Sequence, residues 1–273
     1  MKGVQVGDQW CEEPSIVRLE AKNLFEARFR ATKDLGVRLD EVEFKSLSPI
    51  DNEGLLAVFS EKEIRDAVWQ CEGSKSPEPD GFNFNFIKKS WEFLKDDIMA
   101  ALTLFHETGS ISKGCNASFI ALVPIVRDPS KLEQYRPISL VGALYKIISK
   151  VLAIRMNKVL PALIDECQSA FVKGRGILDS VLMENEVVED LRRNEVMCLK
   201  VDFEKAYDSV RWEFLYDMLS RMGFHNLWIA WIKECLESAS VCVSQREPYG
   251  GAQANKRVEA GRLPNTLSVP SCS

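Results

Sequence analysis

Several of the features that usually announce a function are missing from this sequence. Only two histidines occur, His106 and His225, and they lie far apart. The eight cysteines, Cys11, Cys71, Cys115, Cys167, Cys198, Cys235, Cys242 and Cys272, never form a C-x-x-C pair. Zinc-type and paired-redox spacing are therefore absent, and the sequence predicts reduced, mostly structural thiols. No stretch reaches the length of a membrane span, and the opening residues MKGVQVGDQWCEEP hold no apolar signal core. The expectation is an intracellular protein, nuclear or cytoplasmic, without a membrane partner. Positive charge is not in excess either. A formal net charge of −5 argues against a protein that coats nucleic acid over its whole surface.

What is present suits a globular chain: 273 residues, 46% hydrophobic and 27% charged, are enough to bury a core in one large or two smaller domains. The charge is unevenly spread. Between Ile111 and Leu160 stand Lys113, Arg127, Lys131, Arg136, Lys146, Lys150, Arg155 and Lys158, against only Asp128 and Glu133, a local excess of six positive charges. Such a run suits phosphate binding and equally suits a solvated helix face.

Helical spacing recurs along most of the chain. It is visible from Ser15 to about Asp34, and again in SEKEIRDAVWQC, where Ser60 and Glu63 have capping-box spacing. SLSPIDNEG reads as a loop, and Pro77, Pro79 and Gly81 break the chain in KSPEPDGFNFNF. Ile87, Trp91, Leu94, Ile98, Leu102 and Phe105 then form one long apolar stripe that ends at Gly109, a helix with a glycine cap. FIALVPIV, Phe119 to Val126, reads as a buried strand and RDPSKLEQYRP as a hairpin or loop. A helix is predicted from about Ser139 to Leu160, stopped by Pro161. QSAFVKGRGILDS is a glycine-punctuated basic turn leading into a helix that ends near Leu191. Further helices are expected at about Val210 to Met222 and Leu227 to Leu236, and SVCVS could be a strand.

The stretch LKVDFEKAYDSVRWEFL, Leu199 to Leu215, raises a sharper question. Leu199, Val201 and Phe203 alternate with Lys200 and Asp202 as on a strand, and the spacing then turns helical through Val210, Phe214 and Leu215. A carboxylate thus stands where a strand ends. Mg²⁺ favours such oxygen ligands and keeps positions for water and phosphate, but an isolated aspartate here is better explained as an ion pair with Lys200 or a nearby arginine.

The motifs become specific only together. KVDFEKAYDSVRWEFL, FIALVPIV, YRPISLVGALYKIISKVLAIRM, QSAFVKGRGILDSVLMENEVV and KSPEPDGFNFNFIKKSW stand here at plausible spacing. Taken together, from about Glu41 to Ser244, they resemble the amino-terminal half of the reverse transcriptase domain of LINE-type (non-LTR) retrotransposons. The resemblance implies an α+β fold, helix-rich, forming part of a right-hand polymerase: fingers and an incomplete palm. It implies Mg²⁺ as cofactor and an RNA template, a DNA primer and deoxynucleoside triphosphates as partners. Asp202 matches the first catalytic aspartate and metal ligand, and Phe203 offers a main-chain carbonyl to the metal. Tyr207 matches the aromatic residue beneath the incoming sugar, which disfavours a ribose 2′-hydroxyl by steric exclusion. Arg136 matches the arginine that neutralises the triphosphate. Gln168, Lys173, Gly174 and Arg175 match a segment near the template path. Asp208 is read as a helix cap.

The sequence also departs from that pattern. Glu78 replaces the middle glycine of K-S-P-G-P-D-G, and Ile125 stands where a lysine usually follows L-V-P. The glycine-glutamine motif and the strand–turn–strand with two adjacent aspartates are not found; Asp96 and Asp97, the one adjacent pair, lie within the apolar-striped helix. The expectations are a helical segment over 1–40, a partial reverse transcriptase domain over 41–244 and a disordered, unrelated tail over 245–273. By itself such a chain should be an inactive, truncated copy. The alternative is a non-catalytic nucleic-acid-binding or interaction remnant.

Overall fold

The computed structural model describes residues 3–6, 9–29, 42–75, 81–112, 114–166, 168, 172, 174–176, 178, 181–182, 185–189, 210–238 and 240–243. The expected strand Met197–Phe203 with Asp202, together with Tyr207, Asp208, Lys173 and the tail from 245, lies outside these residues.

The chain opens with a short antiparallel hairpin, β1 (Val4–Val6) and β2 (Gln9–Cys11), followed by helix α1 (Pro14–Phe29). The segment 1–40 is therefore not helical throughout. Gln5 donates its N–H to the carbonyl of Ser130 at 2.7 Å, so the hairpin is tied to a distant turn.

Helix α2 (Pro49–Leu56) occupies the stretch read as a loop. Its start is chemically explicit: Ser48 Oγ accepts from the Asp51 N–H at 3.2 Å, Asp51 Oδ2 accepts from the Ser48 N–H at 3.1 Å, and Pro49 takes the first helical position. The serine-rich, proline-bearing composition that suggested a loop is the composition of a cap. Helix α3 (Glu61–Gln70) begins as expected, with Ser60 accepting from the Glu63 N–H.

The long apolar stripe divides into α4 (Phe84–Lys89), capped by Asn83, and α5 (Trp91–Thr108), with a break at Ser90. Gly109 closes α5 at φ 65°, a left-handed conformation that glycine adopts without strain, and its N–H bonds to the Phe105 carbonyl.

Strands β3 (Ala117–Pro124) and β4 (Tyr135–Val141) pair antiparallel, joined by a turn containing a 3₁₀ segment at Leu132–Gln134. β3 starts and ends two residues earlier than expected, and Ile125 and Val126 are exposed. YRPISL, expected to end a loop and begin a helix, is strand. Helix α6 (Ala143–Leu163) follows and carries Pro161 inside its last turn rather than stopping before it. Residues 178, 181, 182 and 185–189 are helical, in line with the expected helix there. Helices α7 (Trp212–Arg221) and α8 (Asn226–Glu237) precede β5 (Ser240–Val243), which joins β3 in parallel to give the order β4-β3-β5.

The core lies among the helices. Trp228 and Trp231 of α8 are wholly buried, and Trp231 sits 5.8 Å from the ring of Phe59, 5.8 Å from Phe105 and 5.1 Å from His106. Fully burying one large apolar side chain contributes roughly 1.5–3 kcal/mol, so α8 is a principal anchor. Burial also pushes the Cys235 thiol up to about 12, which keeps it protonated and inert. The Cys235 carbonyl accepts from Asn116 Nδ2 at 3.2 Å and from the Tyr145 hydroxyl at 3.2 Å, fastening the start of β3 and α6 to α8. The Leu47 N–H bonds to the Met222 carbonyl, just before α8, at 2.9 Å. Asn52 clasps the α7–α8 turn, donating to the Gly223 carbonyl at 2.8 Å and accepting from the His225 N–H at 2.8 Å.

Candidate nucleic-acid interface

The hairpin β3–β4 presents two different faces, because partners across a ladder point the same way. Ser118, Ile120 and Tyr135 are buried and turn toward the helices. Phe119, Ala121 and Val123, opposite Leu140, Ile138 and Arg136, form the other face. That face grows more open toward the turn, where Val123, Ile138 and Arg136 are exposed. Arg136 therefore projects from a partly apolar strand surface, and among the described residues it makes no ion pair, including with Glu133 three residues earlier. Arg127 and Lys131, both exposed, lie in the adjoining turn. A cation beside an apolar floor suits a ligand that combines a phosphate with a flat base.

Not all of the basic run belongs to that surface. Arg155 is 4% exposed and turned inward. Its Nε and Nη2 bond to the two carboxylate oxygens of Glu63 at 2.7 Å each, a bidentate pair. Nη1 donates to the carbonyls of Leu55 at 2.8 Å and Ala57 at 2.5 Å, and Nη2 also donates to Val58 at 3.2 Å. All five guanidinium protons are thus in use, two on Glu63 and three at the carboxyl end of α2, with the ring of Phe59 4.3 Å from the guanidinium carbon. Glu63 has capping-box spacing, yet its carboxylate is spent on Arg155, 92 residues away. No sequence signal reveals that pairing. A groove of about 410 Å³ runs beside it, lined by Lys62, Glu63, Asp66, Gln70, Ile154 and Lys158 among others. Its floor is already saturated by the clamp.

Gln168 and Gly174 are exposed, and Arg175 is half-buried. They lie just beyond α6, away from the position of Arg136 in the chain. Gly174 has φ 88° with open space around it, so the turn there needs a residue that tolerates the left-handed region. The Arg175 guanidinium points back at the chain: it donates to the carbonyls of Asp165, of Gln168 at 2.5 Å, of Ile164 at 3.0 Å and of Pro161 at 3.3 Å.

A magnesium site needs several converging oxygen ligands. Among the described residues no group of three or more His, Cys, Asp or Glu side chains converges in that way. Asp202 and Phe203, the expected ion ligands, lie outside the described residues. No helix among the described residues is long and apolar enough to cross a membrane.

Comparison with known proteins supplies the class. Residues 126–265 match the family model described as reverse transcriptase (RNA-dependent DNA polymerase). The match starts at the β3–β4 turn and takes in Arg136, Gln168, Arg175, Asp202 and Tyr207, and it extends past Ser244, where the motif-by-motif resemblance stops. The uncharacterized 149 kDa protein of transposon TX1 from Xenopus laevis is 27% identical over 236 residues, 85% of this chain and 18% of that protein. The Pol polyprotein of the type-1 retrotransposable element R1 from Bradysia coprophila is 27% identical over 153 residues, 55% of this chain and 15% of that protein. That of the type-2 element R2DM from Drosophila melanogaster is 21% identical over 173 residues, 63% of this chain and 16% of that protein. The chain belongs to the reverse transcriptase family, in its non-LTR retrotransposon branch. It spans less than a fifth of the length of these relatives.

Proposed function

We propose that this chain is the fingers and first part of the palm, residues 41–244, of a LINE-type RNA-directed DNA polymerase. The observation that carries this reading is the placement of Arg136: inside the matched region, exposed on the open strand face, with no ion pair among the described residues. A guanidinium so placed neutralises the triphosphate of an incoming deoxynucleotide through paired hydrogen bonds. The apolar residues beside it, Val123 and Ile138, give a base or template nucleotide a surface to lie on. Lys173, Gly174 and Gln168 border the template path, where backbone contacts position the strand. Tyr207 restricts the sugar pocket to deoxynucleotides by steric exclusion. Asp202, with the carbonyl of Phe203, would hold Mg²⁺, which would supply charge stabilisation for phosphoryl transfer.

The 273 residues hold one carboxylate of the set that such chemistry uses, so this polypeptide alone is a nucleic-acid-binding unit without polymerase activity. The test is primer extension on an RNA template with deoxynucleotides and Mg²⁺. No extension is expected from the chain alone. Template-dependent extension that disappears in Asp202→Ala would show that one aspartate suffices with other ligands, and would overturn the inactive reading. Failure to bind primer–template at any salt concentration would remove the polymerase reading itself.

A further inference from the structure

Arg175 stands in a segment that the family resemblance places near the template path, but its donors are already committed. Helix α6 ends at Leu163, and the carbonyls of its last turn have no helical partner. Nη2 of Arg175 donates to Pro161 at 3.3 Å and Ile164 at 3.0 Å, and Nη1 donates to Asp165 and to Gln168 at 2.5 Å. One guanidinium therefore ties four carbonyls spread over eight residues of chain. All four of its terminal N–H groups are used, which leaves no fork to grip a phosphate. A cation at a helix carboxyl end is also favoured by the helix dipole. The neighbouring geometry is built for the return: Gly174 at φ 88° reverses the chain, the Arg175 N–H bonds to the Val172 carbonyl at 3.3 Å, and Val172 is buried beneath the turn.

We infer that Arg175 is a positioning residue: its guanidinium fork closes the carboxyl end of α6 and holds the loop that carries Gln168 and Gly174, and it does not itself contact nucleic-acid phosphate. The inference refines the template-path assignment and rests on the polymerase reading only for what the loop is used for. The positive charge that phosphates meet is then supplied elsewhere, from Arg127, Lys131 and Arg136.

The distinction between a fork and a point charge gives the test. A phosphate contact needs a charge, which lysine supplies; a four-carbonyl clamp needs a planar fork, which lysine lacks. Hydrogen exchange is measured through residues 161–168 of the full chain, together with the salt dependence of its affinity for a labelled single-stranded RNA. The variants are Arg175→Ala, Arg175→Lys and Arg175→Gln. The expected result is exchange about tenfold faster at Ile164 and Gln168 in the Ala and Lys variants alike, the scale of one lost hydrogen bond to a charged group. Partial recovery is expected in Arg175→Gln, whose planar amide keeps two donors, and the salt slope should stay unchanged in all three. A slope that falls by about 0.7 in Arg175→Ala, the increment of one phosphate on a single strand, and returns in Arg175→Lys overturns the inference whatever the exchange shows. Unchanged exchange in Arg175→Ala overturns it as well. The exchange arm needs no RNA, so a chain that binds none would count against the polymerase reading and leave this one to be decided by exchange alone.

Discussion

The helical body and the three-stranded sheet use the same residue type in opposite ways. In the body, Arg155 is buried and every guanidinium proton is matched, two to Glu63 and three to the end of α2. On the sheet, Arg136 leaves the strand surface into solvent and is held by no ion pair among the described residues. Polar capacity used inside stabilises; polar capacity left outside is available to a ligand. The body is thus where stability is concentrated, and the open strand face is where the proposed function puts recognition. A local excess of positive charge in the sequence does not distinguish the two, because charge is counted without regard to direction.

That contrast is broken most directly at the two extremes of burial. Trp231→Ala, which removes a wholly buried ring packed among Phe59, Phe105 and His106, is expected to cost about 3–5 kcal/mol in urea unfolding. Ile138→Ala on the open face should stay within about 0.5 kcal/mol. Equal losses at the two sites would mean that the strand face is packed in solution and would end the distinction.

Arg155→Ala comes next in size. It strands Glu63 and three carbonyls, for an expected loss of about 3 kcal/mol, the lower end of what breaking one partner of a buried pair costs. Arg155→Lys should recover only a minor part, since an ammonium cannot meet a carboxylate and three carbonyls at once. Full recovery with lysine, measured by the same unfolding curves, would reduce the clamp to a simple charge.

The smallest effect on stability is expected from Arg136→Ala, within about 0.5 kcal/mol because the side chain is exposed and makes no ion pair among the described residues. Its effect should be confined to binding, where the salt slope for primer–template falls by about 1 as one phosphate contact is lost. A stability loss comparable with that of Arg155→Ala would place Arg136 in the body's network instead.

Local chemistry was legible in the sequence where it acts within a few residues. The Ser60 cap, the Gly109 terminus, the apolar stripe and the family motifs all rest on short spacing or on side-chain type, and each can be read directly. The same locality explains the misreadings. Ser48 and Pro49 look like loop residues until Asp51 is seen to complete a cap, and YRPISL lacks strict alternation because Arg136 and Ile138 share an open face. The inward turn of Arg155 depends on Glu63 and on the end of α2, nearly a hundred residues earlier, and the return of Arg175 depends on where α6 stops. Neither leaves a trace in composition. For Asp202, Phe203, Tyr207 and Lys173 the assignment rests on the family motifs alone.

The clasp between Asn52 and the turn at Gly223–His225 has a consequence for how the chain must be made and divided. Residues more than 170 positions apart meet there, reinforced by the bond from Leu47 to Met222. Closing so long a loop is entropically costly before its contacts form, though the cost rises only as the logarithm of length. The body therefore cannot be completed until α7 and α8 have been synthesised, and until then Phe59 and the Phe105–His106 face of α5 lack the ring that covers them. Cutting the chain at residues 126 and 265, the edges of the family match, would remove Phe59, Phe105 and His106 and leave Trp231 only Trp228 among its aromatic neighbours. The unit that evolution recognises by sequence and the unit that closes its own core are here two different lengths of the same polypeptide.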